Sequence, residues 1–182
     1  MAGINRAIVT NENLSKSRLY SQVKCVFISH QKGDSAKCEK IAEYIMEANI
    51  DVYFDEYDTD LKIHRQTNNA KGVVNSIRKG IDNSTHMLCV ISPNTLGSKW
   101  VPWELGYGYA KTTIGVLTLK GINESELPDY IKTVQIVRGT KSLNQFIVEL
   151  TGLPQLILED RNFSKAYNFG NHPLNDILDW QL

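Results

Sequence analysis

The sequence predicts an α/β domain, a three-layer sandwich in which a five-stranded parallel sheet carries helices on both faces. Two observations predict it. Short apolar runs alternate five times with segments of helical periodicity, and those runs read as apolar on both sides, as parallel strands covered by crossover helices must be. The length, 182 residues, suits one domain around a single good core.

Residues 1–22 are polar, rich in Asn and Ser, and read as an arm or a short extra helix. Lys24-Cys25-Val26-Phe27-Ile28-Ser29-His30 is the first strand, an apolar run whose polar end opens onto the loop from Gln31 to Ser35. Asp34 or Ser35 caps a helix over 36–49, in which Cys38, Ile41, Ala42, Ile45, Met46 and Ala48 recur at helical spacing. Ile50 to Asp55 gives the second strand. A long polar connection from Glu56 to Lys71 follows and carries Asp58, Asp60, Lys62, His64, Arg65 and Gln66; loops of that length in a compact domain are usually functional or mobile. Val74, Ile77 and Ile81 share one face of a helix over 73–81, ended by Gly80 and Asp82-Asn83-Ser84. His86 to Ser92 is the third strand, stopped by Pro93-Asn94, and a helix runs from Trp100 to Thr112. Ile114 to Leu119 and Val134 to Val137 are the last strands, separated by a polar break at Glu126-Leu127-Pro128. Thr140 or Ser142 starts a closing helix with Leu143, Phe146, Ile147 and Leu150, and Gly152 ends it. The domain therefore spans 23–152. Residues 153–182, with Pro154, Gly170 and Pro173 among aromatic residues, read as an appendage packed on the domain or on a second copy.

Lysine plus arginine equals aspartate plus glutamate at 20 each, so no global field draws nucleic acid or an anionic membrane. The three cysteines, Cys25, Cys38 and Cys89, form no CxxC pair or zinc spacing, and two of them sit in apolar runs. A reducing compartment follows. With no stretch of signal-peptide or membrane-span character, the expected location is cytoplasmic.

The chemistry concentrates in Ser98-Lys99-Trp100-Val101-Pro102-Trp103-Glu104-Leu105-Gly106-Tyr107. Pro102 belongs in a first helical turn, which places the start of that helix between Ser98 and Val101. Trp100 and Glu104 are four apart, as are Trp103 and Tyr107, so each pair can share a face and set an aromatic wall beside a carboxylate. The plainer alternative is an acid favoured by the helix dipole among core tryptophans. Ligands of parallel α/β folds sit at the carboxyl ends of the strands, where His30, Gln31, the loop after Asp55 and the stretch from Ser92 to Glu104 converge. No Walker loop, GxGxxG or GxSxG motif is present. His30, His64, His86 and His172 do not fall at metal-ligand spacings, so no metal is expected. One carboxylate falls short of the usual two-acid glycoside chemistry, yet it serves a leaving group that departs without protonation. The nicotinamide of NAD+ is such a group, and the developing oxocarbenium then needs one anion and ordered ribose hydroxyls.

Phe27-Ile28-Ser29-His30, Phe54-Asp55 before the long loop, Val90-Ile91-Ser92-Pro93, and Ser98 to Leu105 resemble the characteristic boxes of Toll/interleukin-1 receptor (TIR) domains, over about residues 23 to 152. The resemblance implies a flavodoxin-like fold. Trp100 and Glu104 match the Trp-x-x-x-Glu pair of the NAD-cleaving branch, similar to bacterial standalone, Thoeris-type antiphage members. It implies that Glu104 is catalytic, holding the nicotinamide-side ribose and stabilising the oxocarbenium, and that Trp100 shapes the ring pocket. Phe27, Ser29, His30, Gln31, Lys32, Asp55 and Trp103 would be substrate-binding, with Gln31-Lys32 standing where a basic pair is frequent. NAD+ is implied as substrate, with no bound cofactor. The Glu56 to Lys71 loop would be the BB loop, which with helix surfaces mediates homo-oligomerisation and gates the site. The product would be ADP-ribose or a cyclic ADP-ribose-type messenger that diffuses to a downstream effector. A non-catalytic TIR scaffold is the alternative, and Trp100 with Glu104 favours the enzyme.

Overall fold

The computed structural model describes residues 2–9, 23–152 and 172–180. Five strands, β1 (Cys25–Ser29), β2 (Asp51–Tyr53), β3 (His86–Ile91), β4 (Thr113–Thr118) and β5 (Gln135–Val137), form one sheet in the order β2-β1-β3-β4-β5. All pairings are parallel. The helices are α1 (Ser35–Glu47), α2 (Thr59–Gln66), α3 (Ala70–Asp82), α4 (Pro93–Leu96), α5 (Trp100–Tyr109) and α6 (Thr140–Thr151). This is the flavodoxin-like strand order.

Side-chain alternation along β1 divides the core. Val26 and Ile28 join Cys38, Ile41 and Ile45 of α1 and Leu143, Phe146 and Ile147 of α6 on one face. Cys25 and Phe27 join Val73, Ile77 and Ile81 of α3 and Val101 and Leu105 of α5 on the other. Ser29, two residues beyond Phe27, therefore points toward the α3 and α5 layer. The chain leaves β1 through α1 on the first face and returns from β2 to β3 through α3 on the second. The carboxyl ends of β1 and β3 thus flank the topological switch point, where such folds bind ligands.

Residues 2–9 cover the outer edge of β2. Val52 donates its N–H to the Ile4 carbonyl at 3.0 Å, and Gly3 donates to the Met46 carbonyl at 2.7 Å. The Arg6 guanidinium reaches Asp51 Oδ2 at 2.9 Å, the Asn83 carbonyl at 2.8 Å and the Val23 carbonyl at 2.9 Å. The Asn5 amide accepts from Phe54 N–H at 3.1 Å. An otherwise unpaired strand edge is closed by its own chain. At the other end of the described residues, Leu174, Ile177 and Leu178 are buried against the α1 and α6 core. All three cysteines are buried thiols, and burial pushes Cys89 up to about 12.

Three expectations are corrected. The connection after β2 is not structureless: Asp58 Oδ1 accepts from Leu61 N–H at 2.9 Å and caps α2, whose fully buried Leu61 contributes about 2 kcal/mol of docking energy. Gly80 does not end its helix, which runs to Asp82; a Cβ there would stand 2.5 Å from the Tyr53 ring, so glycine is needed for close packing. Finally, β5 is an edge strand with Gln135 exposed, not a strand apolar on both sides. Residues 1 and 10–22 of the expected arm and 153–171 and 181–182 of the expected appendage lie outside the described residues.

Candidate active site

Helix α5 begins at Trp100 because Ser98 Oγ accepts from the Trp100 and Val101 N–H groups, each at 3.2 Å, and Pro102 occupies the first turn. Glu104 then faces the sheet. It is 4% exposed, and Ser29, 1% exposed at the carboxyl end of β1, donates its hydroxyl to Glu104 Oε2 at 2.6 Å. Among the described residues its side-chain partner is a hydroxyl and not a lysine or arginine, so the carboxylate is buried without a direct countercharge. Burial, followed by the negative Asp55, raises the Glu104 carboxyl to about 7; the Ser29 hydrogen bond and the Arg65 charge act against the rise. A carboxyl tuned to neutrality at a switch point is a functional-site signal with a physical cause.

Asp55, two residues past the end of β2, is buried, and burial raises its carboxyl while His30 and Arg65 lower it. Arg65 of α2 donates Nη2 to Asp55 Oδ2 at 3.2 Å, whereas Asp55 Oδ1 has no hydrogen-bond partner among the described residues. His30 lies between two acids: Nδ1 is 3.6 Å from Asp55 Oδ1 and Nε2 is 3.6 Å from Glu56 Oε1. One ligand atom from each of His30, Asp55 and Glu56 falls within 4.8 Å of the others, a grouping that sequence spacing did not display. The ring nitrogens of His30 are already engaged, Nδ1 with the Ile28 carbonyl and Nε2 with Ser35 Oγ, each at 3.3 Å, so the imidazole is held in place by its neighbours at the carboxyl end of β1.

The aromatic residues lie apart from this buried cluster. Trp100, 44% exposed, meets Trp103 edge-on at 5.9 Å, and Trp103 stacks on Tyr107 at 5.9 Å and 7°. The Tyr107 hydroxyl donates to the Asp82 carboxylate at 2.9 Å, tying this row to the end of α3. The i, i+4 stack of Trp103 and Tyr107 forms as the spacing allows; Trp100 and Glu104 have different surroundings, one toward solvent and one toward the sheet.

The remaining candidates divide. Phe27 is core, stacked on Tyr53 at 5.8 Å. Gln31 caps the turn after β1 by accepting from Lys32 N–H at 3.2 Å, and Lys32 is exposed. The sequence placed Arg65 only in a polar connection and Asp34 only as a helix cap; Arg65 links to Asp55, ten residues distant, and the Asp34 side chain makes no cap hydrogen bond, its buried carboxylate accepting instead from the Ser92 hydroxyl and from Asn94 Nδ2. The latter contact locks the loops after β1 and β3 together at the same edge.

The TIR-domain family profile matches residues 26–149, the stretch from β1 to α6. The chain belongs to the TIR family. Over 96 residues this TIR domain is 29% identical to a protein of Bacillus cereus (strain MSX-D12) named as a 3′ cyclic ADP-D-ribose synthase, ThsB′, covering 53% of this chain and 47% of the relative. Over 100 residues it is 30% identical to a protein of Cytobacillus dafuensis named as a cyclic ADP-D-ribose synthase, TIR2, covering 54% of this chain and 25% of the relative. The matches thus span about half the length of one curated relative and a quarter of the other. Among the described residues no helix is long and apolar enough to cross a membrane.

Proposed function

We propose that this TIR domain consumes NAD+, breaking the nicotinamide–ribose bond at Glu104 and releasing nicotinamide with a cyclic ADP-ribose-type nucleotide. The observation that carries the reading is the buried Glu104 carboxyl, raised to about 7 and held by Ser29 at the switch point of the sheet. A cationic nicotinamide departs neutral, so no acid is required to protonate it. Positive charge develops on the ribose as the bond lengthens, and a carboxylate in a site of low polarity stabilises it more than water would. The cation itself favours the ionised form of Glu104. Water or an adenine nitrogen then takes the anomeric carbon, giving ADP-ribose or a cyclised product; the names of the two relatives support cyclisation. In this reading the protein works in the cytoplasm in antiphage defence, self-associates through the α2 region and helix surfaces, and signals to an effector by its diffusible product.

Incubation of the purified protein with NAD+ at high protein concentration, with products resolved by chromatography and mass, tests the reaction. Nicotinamide and a nucleotide of cyclic ADP-ribose mass are expected; intact NAD+ would leave the interaction-module reading.

Ser29 has a separate signature. Activity should rise with pH through about 7 as Glu104 ionises, because its carboxyl lies above the ordinary value of 4.5. The Ser29 hydroxyl stabilises the charged form, so Ser29→Ala is expected to move this limb toward alkaline pH. An unmoved limb in a folded, active variant would refute the role.

A further inference from the structure

We propose that Arg65, fixed in place by the buried Asp55, binds the diphosphate of the dinucleotide, so that α2 supplies the anion-recognition element of the site. The proposal rests on the reading that NAD+ is the substrate, and deepens it by placing the anionic half of that molecule.

Helix α2 is tied to β2 at both ends. The Tyr53 hydroxyl donates to Asp58, the capping residue of α2, while Asp55 accepts from Arg65 in the last turn. Leu61 plugs the core between these ties. The guanidinium is therefore presented from an anchored helix, which lowers the ordering cost of any contact it makes. Its side chain is 42% exposed, and its only hydrogen bond among the described residues runs to Asp55 through Nη2. The remaining N–H groups of a planar five-donor fork stay available, a geometry matched to two phosphate oxygens.

Asp55 explains why the arginine stays there. The acid is buried, one of its oxygens lacks a hydrogen-bond partner among the described residues, and it needs a nearby cation more than an exposed acid would. A surface salt bridge formed for stability alone would use an exposed acid and contribute little. Phe27 of β1 pairs with Tyr53 of β2, so two residues further on Ser29, bonded to Glu104, and Asp55, bonded to Arg65, leave the sheet side by side at its carboxyl edge. A diphosphate on Arg65 would thus lie on the same edge as a ribose beside Glu104. Lys32, the exposed cation after β1, offers a flexible point charge with no comparable anchor among the described residues.

The test pairs binding with turnover. Wild type, Arg65→Gln and Arg65→Lys are titrated with ADP-ribose by calorimetry at low and high salt, and nicotinamide release from NAD+ is followed over a substrate series. Wild type is expected to bind ADP-ribose more weakly as salt rises. Arg65→Gln should weaken binding by about tenfold or more and flatten the salt dependence, with KM for NAD+ rising more than kcat falls, and Arg65→Lys should recover part of the loss. Equal affinity of wild type and Arg65→Gln, or a fall in kcat at constant KM, would overturn the proposal, as would a wild type that does not bind ADP-ribose. Binding that depends on Arg65 without nicotinamide release would overturn the cleavage reading and keep the anion site.

Discussion

Glu104→Gln is expected to lose nicotinamide release entirely and yet to be more stable than the parent protein above neutral pH. The amide keeps an acceptor for the Ser29 hydroxyl and fills the same space, so the local packing survives. What disappears is the charge. In the folded chain the Glu104 carboxyl sits at about 7 against an ordinary 4.5, so between those values the native state holds a proton that the unfolded chain has lost. Stability therefore falls as pH rises through that window, and above it the ionised group costs about 3 kcal/mol. The glutamine variant escapes this cost. Thermal midpoints at about pH 8 should favour it, and the gap should close near pH 5. A carboxylate kept at a loss to the fold is what a functional role predicts. Retained turnover would remove Glu104 from the chemistry; a variant less stable than wild type at alkaline pH would make the acid structural.

Arg6→Ala carries the second large effect, on folding. Its guanidinium serves Asp51 and two backbone carbonyls, all at 2.8–2.9 Å, where the N-terminal segment crosses the edge of β2. Deleting it removes a cation from a fully buried carboxylate and takes a donor from each of those part-buried carbonyls. Removing one partner of a buried pair costs about 3–5 kcal/mol, a large part of the roughly 5–15 kcal/mol that holds a domain together. Urea unfolding of the whole chain measures it, and a loss under about 1 kcal/mol would show that water reaches Asp51. Because Asn5 of the same segment grips Phe54, the residue before Asp55, the variant should also loosen the loop that carries Asp55.

The sheet was legible because runs such as Val26-Phe27-Ile28 and Leu88-Cys89-Val90-Ile91 are too apolar and too short for anything but buried strands. Helix α2 was hidden because Leu61 is its one buried residue, and a single apolar position shows no period, although Asp58 three residues earlier was a capping signal. The direction of Glu104 was not readable for the opposite reason. Helix α5 is apolar or aromatic nearly all round, with Val101 and Leu105 inside and Trp100, Trp103 and Tyr109 outside, so its pattern does not say which face meets the sheet. The spacing of Trp103 and Tyr107 was local and could be read directly. The Ser29–Glu104 contact spans 75 residues and needs the strand order to form, whereas Arg65 reaches Asp55, ten residues away, only because the hidden helix α2 folds back on the end of β2.

The three enclosed thiols give the protein a built-in clock. Cys25, Cys38 and Cys89 are fully covered, and burial holds the Cys38 and Cys89 sulfurs in the protonated, unreactive form. An alkylating reagent can therefore modify them only when the sheet layers part, so the rate of labelling counts openings of the native state one molecule at a time. A cysteine engineered onto the outer surface of α5 would react at once, which lets a dye be installed at a chosen place without first removing the natural ones.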